Sequence, residues 1–175
     1  AIEAGAEAIV MTASGCGTQL KDYGLLLKDD LRYAEKARRV SELARDLSEV
    51  LLAEDLSLLS VTAKAAQNQT FRTAFHCPCS LQHGQQLGGV VEQIMGRVGI
   101  PLLGTRDAHL CCGSAGSYSI LQPQISQQLL SNKLKALNIE APEQIATANI
   151  GCQLHLQSQS AVPVRHWIEL LDPDG

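Results

Sequence analysis

Three short apolar runs, each opening into a cysteine-bearing loop, limit what this chain can fold into. Residues 71–76 run into Cys77-Pro78-Cys79, residues 100–103 lead to Cys111-Cys112-Gly113, and residues 144–148 lead to Asn149-Ile150-Gly151-Cys152. Helical periodicity fills the gaps. It covers residues 84–98, ended by Gly99, and residues 123–137, where Ile125, Leu129, Leu130, Leu134 and Leu137 share one side. Strands alternating with helices of this length imply βαβ units, hence an α/β fold built on a parallel sheet. In open sheets of this kind ligands sit beyond the carboxyl ends of the strands. Each cysteine group holds that position, so the reading gathers all three at one sheet edge. Residues 162–164 are expected as a fourth strand and 167–171 as a final helical turn or two.

The first third of the chain carries a related pattern. Residues 8–12 read as a buried strand that breaks into a loop at Ser14-Gly15-Cys16-Gly17. One long amphipathic helix is expected over residues 30–56, with Val40, Leu43, Ala44, Leu47, Val50 and Leu51 facing inward. Arg38–Glu42 and Arg45–Glu49 are spaced as i, i+4 ion pairs on its outer face. A polar run ending near Asn68 reads as a boundary, dividing the chain into residues 1–67 and 68–175. The decapeptide EAIVMTASGC at 7–16 aligns with EQIATANIGC at 143–152, with Glu, Ile, Gly and Cys in register. Two strand–loop–cysteine units in one chain point to an internal repeat, the tail of one module followed by a whole second one.

Composition narrows the function classes. A net charge of −4 argues against nucleic acid as a partner, and 3% aromatic residues leave little for base stacking. No apolar run reaches the ~18 residues of a membrane-spanning helix. The opening residues AIEAGAEAIV lack a methionine and the basic start of a secretory leader, and read as beginning partway through a longer protein. Six cysteines beside a 45% hydrophobic composition fit a reducing, cytoplasmic setting, where clustered cysteines serve metal or redox chemistry more often than disulfides.

The adjacent thiols need an explanation of their own. Neighbouring Cα atoms lie ~3.8 Å apart across a trans peptide, whereas disulfides want roughly 4.4–6.8 Å. A bond between Cys111 and Cys112 is therefore strained. Three readings stay open: two small buried hydrophobes, a thiol–disulfide site, or a metal centre in which adjacent thiolates need not touch. Thiolates are soft, charged donors suited to zinc and to iron–sulfur clusters. Cys79, Cys111, Cys112 and Cys152 supply a four-thiolate set from three loops. Cys77, two residues from Cys79 on an extended segment, is expected to point the same way. His155, three residues after Cys152, is a further candidate ligand, and His76, His83 and His109 flank the other loops. Gly113 permits backbone shapes that other residues resist, and Ser114, Gly116, Ser117 and the Gly151 turn offer support for sulfur. No G-x-S-x-G elbow marks a hydrolase, and GSAGS at 113–117 lacks the lysine of a phosphate loop.

Taken together, HCPCSLQHG, then residues 80–110, then Cys111-Cys112-Gly113, then residues 114–151, then Cys152 resemble the CCG, or cysteine-rich, domain family. RDAHLCCGSAGSYS, TANIGCQLHLQS and VPVRHWIELL look most like the iron–sulfur subunits of glycolate oxidase within it. Heterodisulfide reductase and lactate-utilisation proteins resemble it too. The resemblance implies the tail of one CCG module, including the long helix, over residues 1–67 and a complete module over 68–175. It also implies an iron–sulfur cluster of the 4Fe-4S type, or zinc. Electrons would come from an FAD-containing partner subunit that oxidises glycolate to glyoxylate. They would pass to the quinone pool or another acceptor at the membrane, from a chain lying on the inner face of the plasma membrane or free in the cytoplasm. In the family pattern a Cys stands where this chain has His155, and Cys16 is what remains of a first site.

Overall fold

The computed structural model describes residues 5–59 and 71–172. In the first third β1 (Ile9–Met11) leads into α1 (Ser14–Leu26), followed by α2 (Ala34–Leu43), β2 (Ala44–Asp46) and α3 (Leu47–Ala53). β1 and β2 pair in parallel as a two-stranded sheet. The expected loop at 14–17 is the first turn of α1, a helix that the weak amphipathicity of its sequence concealed. The expected long helix over 30–56 is interrupted by β2. Ala44 takes an extended backbone, and pairing with β1 replaces the helical hydrogen bonds. Asp46 then restarts the helix. Its carboxylate accepts from the Ser48 amide while Glu49 reaches back to the Asp46 amide, a reciprocal capping box. The Arg38–Glu42 pair forms, but Arg45 donates to the Glu42 and Ala44 carbonyls, and Glu49 takes Lys21 at 2.5 Å instead.

The remainder contains β3 (Thr73–His76), a single π turn (Ser80–Gly84), α4 (Val90–Val98), β4 (Leu102–Leu103), a short α5 (Tyr118–Leu121) and α6 (Pro123–Leu137). β5 (Gln144–Thr147), α7 (Ile150–Gln157), β6 (Val164–His166) and a 3-10 turn (Trp167–Leu171) complete it. The sheet is wholly parallel in the order β4-β3-β5-β6, as α/β patterning requires. α6 matches its expected limits, and Gly99 ends α4 in the left-handed conformation. The boundary near Asn68 lies outside the described residues.

Both faces of this sheet are covered. Phe75 and Ala146 project to one side, into a core with Leu81, Val91, Ile94, Met95, Val98 and Trp167. Ala74 and Ile145 project to the other, against Leu130, Leu134, Leu137 and Leu156. The strands are short because β3 and β5 end where their cysteine loops begin.

The structure extends the internal repeat beyond the two decapeptides. β2 and β6 are each followed by a reciprocal capping box, Asp46 with Glu49 and His166 with Glu169. Their sequences, ARDLSEVL and VRHWIELL, share Arg, Glu and Leu in register. The two repeats also meet at their strand-to-helix turns. The Ser14 amide donates to the Ala148 carbonyl at 3.1 Å, and Asn149 Nδ2 donates to Ser14 Oγ at 3.2 Å.

Candidate metal centre

The loops leaving β4, β3 and β5, three neighbouring strands, converge at the carboxyl edge of the larger sheet. Cys79 follows β3, but not as an extended residue. Pro78 ends the strand, and its carbonyl accepts from the Leu81 and Gln82 amides, so Cys79 adopts helical angles and swings over the sheet edge. There its thiol meets Cys111, which lies between Cys79 and Cys112, and Cys112 in turn reaches Cys152. The four sulfurs form a chain drawn from three loops. None is in a disulfide.

Cys152 sits in the first turn of α7. Asn149 caps that helix, its Oδ1 accepting from the Gly151 amide at 2.8 Å. Amides at a helix start favour a thiolate there. Contact with Cys112, aided by the neighbouring His76 ring, lowers the Cys152 pKa to about 5 against the opposing effect of burial. The Cys112 and Cys79 thiols, with the Gly113 amide donating to Sγ at 3.3 Å, lower Cys111 to about 2. Cys79 and Cys112 are pushed up, chiefly by their contact with Cys111. A cation in the group would displace the thiol protons.

His76, the last residue of β3, completes the group. Its side chain lies on the face of Ala74, not of Phe75, by strand alternation. A ring nitrogen and the sulfurs of Cys112 and Cys152 all lie within 4.8 Å of one another. His76 is 1% exposed, yet neither ring nitrogen has a hydrogen-bond partner. Thr147, its register partner on β5, is equally buried, and its hydroxyl is unpartnered too. Buried polar groups are normally satisfied. An unsatisfied imidazole facing two sulfurs fits a metal donor set, and thiolate plus imidazole is a zinc and iron–sulfur donor chemistry. Alternation read back from Cys77 and Cys79 puts residue 76 on the face opposite theirs, so no sequence signal located this histidine.

Other candidates lie elsewhere. Cys77 alternates to the opposite face, buried with Phe75 and Leu81, and burial there raises its pKa to about 12. Its expected partnership with Cys79 fails because the chain stops being extended between them. His155 does not join the sulfurs; Nε2 lies 3.2 Å from Ser126 Oγ. Cys16 is exposed in the first turn of α1. Gly113 is pressed not against the sulfurs but against α6: its φ is +90°, and a Cβ built there would lie 2.4 Å from the Ser126 carbonyl oxygen. Gly151 faces Ser114 Oγ in the same way, at 3.1 Å, and the Ser114 amide points at Cys112. Among the described residues no helix is long and apolar enough to cross a membrane.

Residues 73–157 match the cysteine-rich domain family designated CCG. The chain is 53% identical, over 98% of its length, to the glycolate oxidase iron-sulfur subunit of Escherichia coli, and 30% identical over 86% to a probable glycolate oxidase iron-sulfur subunit of Bacillus subtilis. It spans 41% and 33% of those two relatives. Lactate utilization protein A of B. subtilis is 25% identical over 95% of the chain, which covers 70% of that relative.

Proposed function

Because residues 73–157 match the model of the cysteine-rich CCG domain family, we propose that this chain is the cluster-bearing C-terminal part of the iron–sulfur subunit of a glycolate oxidase. In this reading Cys79, Cys111, Cys112 and Cys152 hold a cluster, with His76 as a fifth donor. The 4Fe-4S type and the two-module division at residue 67 belong to the proposal. The observation that carries it is the buried, unpartnered imidazole facing the Cys112 and Cys152 sulfurs, which come from two different loops. When bound, the cluster supplies one-electron transfer. The chain's own residues do the rest. Three strand ends bring the sulfurs together, the Gly113 and Ser114 amides donate to them, and apolar packing around Leu130, Leu134 and Leu156 keeps water from the inner side. Electrons would reach this centre from an FAD-containing partner that oxidises glycolate to glyoxylate, and leave for the quinone pool, with the protein in the cytoplasm or peripheral on the inner membrane face.

Anaerobic reconstitution with iron and sulfide tests the reading. The wild-type protein should show the broad visible absorption of an iron–sulfur centre, and the Cys111→Ser, Cys112→Ser double variant should lose it. A colourless protein carrying one zinc would favour a zinc-stabilised interaction domain, the second reading that a mixed sulfur and imidazole donor set supports. Iron–sulfur absorption in the intact complex that bleaches with lactate but not glycolate would move the partner's substrate to another hydroxy acid.

A further inference from the structure

One fully buried cation remains unexplained by the donor set. Lys133 on α6 is 0% exposed and is the one buried lysine or arginine among the described residues. Lysines are rarely buried without an anionic partner. Among the described residues it has no carboxylate at ion-pair distance. Its ammonium donates instead to the backbone carbonyls of Asp107, at 3.3 Å, and Ala108, at 3.1 Å. Those carbonyls belong to the turn that delivers Cys111 and Cys112. Asp107 has a positive φ of 49°, and its carbonyl also accepts from the Leu110 amide.

The other end of the cysteine loop is held by the same helix. Ser126 Oγ donates to the Gly113 carbonyl at 2.8 Å. Ser126 and Lys133 are seven residues apart, two helical turns, so they share one face of α6 with Leu130 between them. α6 therefore grips the loop on both sides of the paired cysteines, once with a hydroxyl and once with an ammonium. Burial pulls the lysine pKa down, and the Cys112, Cys77 and Cys111 sulfurs and the Asp107 carboxylate, where they carry charge, oppose that shift.

We propose that Lys133 is a positioning residue of the metal centre: it clamps the approach to Cys111 and Cys112 and brings an ammonium to the loop that carries their sulfurs. The inference rests on the reading of the site as a metal centre and adds to it a residue outside the ligand set. A neutral clamp would hold the loop equally well, so the charge makes a separate claim. Positive charge beside a thiolate-held centre favours its reduced, more negative state, and net charge is one of the determinants of cluster potential.

The test uses the intact protein and three variants, Lys133→Met, Lys133→Arg and Ser126→Ala. Cobalt(II) added to metal-free protein reports affinity through its sulfur-to-metal absorption, and the reconstituted centre is titrated for its midpoint potential. Lys133→Met should lose roughly ten- to hundredfold in cobalt affinity, as supporting partners of metal ligands do, and its midpoint should fall. Ser126→Ala, which loosens the loop without changing charge, should lose affinity with the midpoint in place. Lys133→Arg should recover most of the midpoint. Wild-type affinity and midpoint in Lys133→Met would overturn the proposal. So would a midpoint that moves equally in Ser126→Ala, since the charge would then be idle. Thermal unfolding by circular dichroism identifies a variant that fails to fold, and Lys133→Arg then carries the comparison of midpoints. Wild-type protein that takes up no cobalt sinks the metal-centre reading itself, before any variant is compared.

Discussion

Replacing Gly113 by alanine should be the most damaging single methyl group that can be added near the site. Two costs combine. The residue sits at φ +90°, where a side chain is strained by roughly 1–2 kcal/mol. The new Cβ would also lie 2.4 Å from the Ser126 carbonyl oxygen and 3.2 Å from Leu129 Cβ. A backbone carbonyl within a 15-residue helix cannot step aside as a side-chain tip can. Either α6 shifts or the loop does, and forced shifts in packed interiors cost about 1–3 kcal/mol. Together these make roughly 2–5 kcal/mol. For a protein of this size each kcal/mol is worth about 2–4 °C, so the melting temperature should drop by several degrees at the least. Gly116→Ala is the control. It also has a positive φ, +52°, but nothing lies within 4 Å of its Cβ, so only the conformational strain applies. Thermal unfolding followed by circular dichroism on both metal-free variants measures the difference. If Gly113→Ala melts no lower than Gly116→Ala, the close approach to α6 is not what demands glycine, and the reasoning about the loop's seat fails.

Four further outcomes follow from the structure. His76→Ala should lower cobalt affinity at least tenfold, while His155→Ala should leave it unchanged and lose about 1 kcal/mol of stability with its Ser126 contact, both read by the same absorption titration and by urea unfolding. Cys77→Ser should keep the bound metal but lose roughly 1–3 kcal/mol by burying an unpaired hydroxyl, seen as a lower urea midpoint with unchanged metal content. Cys77 also sets an alkaline limit. Its folded pKa of about 12 stands above the ordinary thiol value of 9.0, so its contribution is whole below 9 and is lost as pH rises toward 12; Cys77→Ala should flatten that decline in metal-free protein. Asp46→Ala should cost about 1–2 kcal/mol through its lost cap, whereas Arg38→Ala, on the exposed face of α2, should change the urea midpoint by little.

Where periodicity was long and unbroken, the sequence was legible. Residues 123–137 alternate leucines at helical spacing and fold as α6 within the same limits. The alternation of apolar runs with helices was enough for a parallel α/β sheet, and the strand-end location of each cysteine was enough to bring Cys79, Cys111, Cys112 and Cys152 together. The helical pattern over 30–56 misled because β2 is only three residues long. Its hydrogen bonds come from β1, more than 30 residues away, and no local window contains that partner. The sign that was present, Asp46 and Glu49 spaced as a capping box, lay inside an otherwise continuous helical stripe.

What the chain carries by itself is the inventory: which residues can donate to a metal, and at which strand ends they must emerge. Tertiary structure alone decided which face each donor took. A single turn at Pro78 sent Cys77 into the apolar core and Cys79 to the sulfurs. The pairing of β3 with β5 aimed His76 inward beside Thr147. α6, packed from beyond the loop, brought Ser126 and Lys133 against the paired cysteines. Side-chain direction depends on backbone angles and on packing between segments remote in sequence, so the composition of a site can be read along the chain while its geometry exists only once the layers have closed.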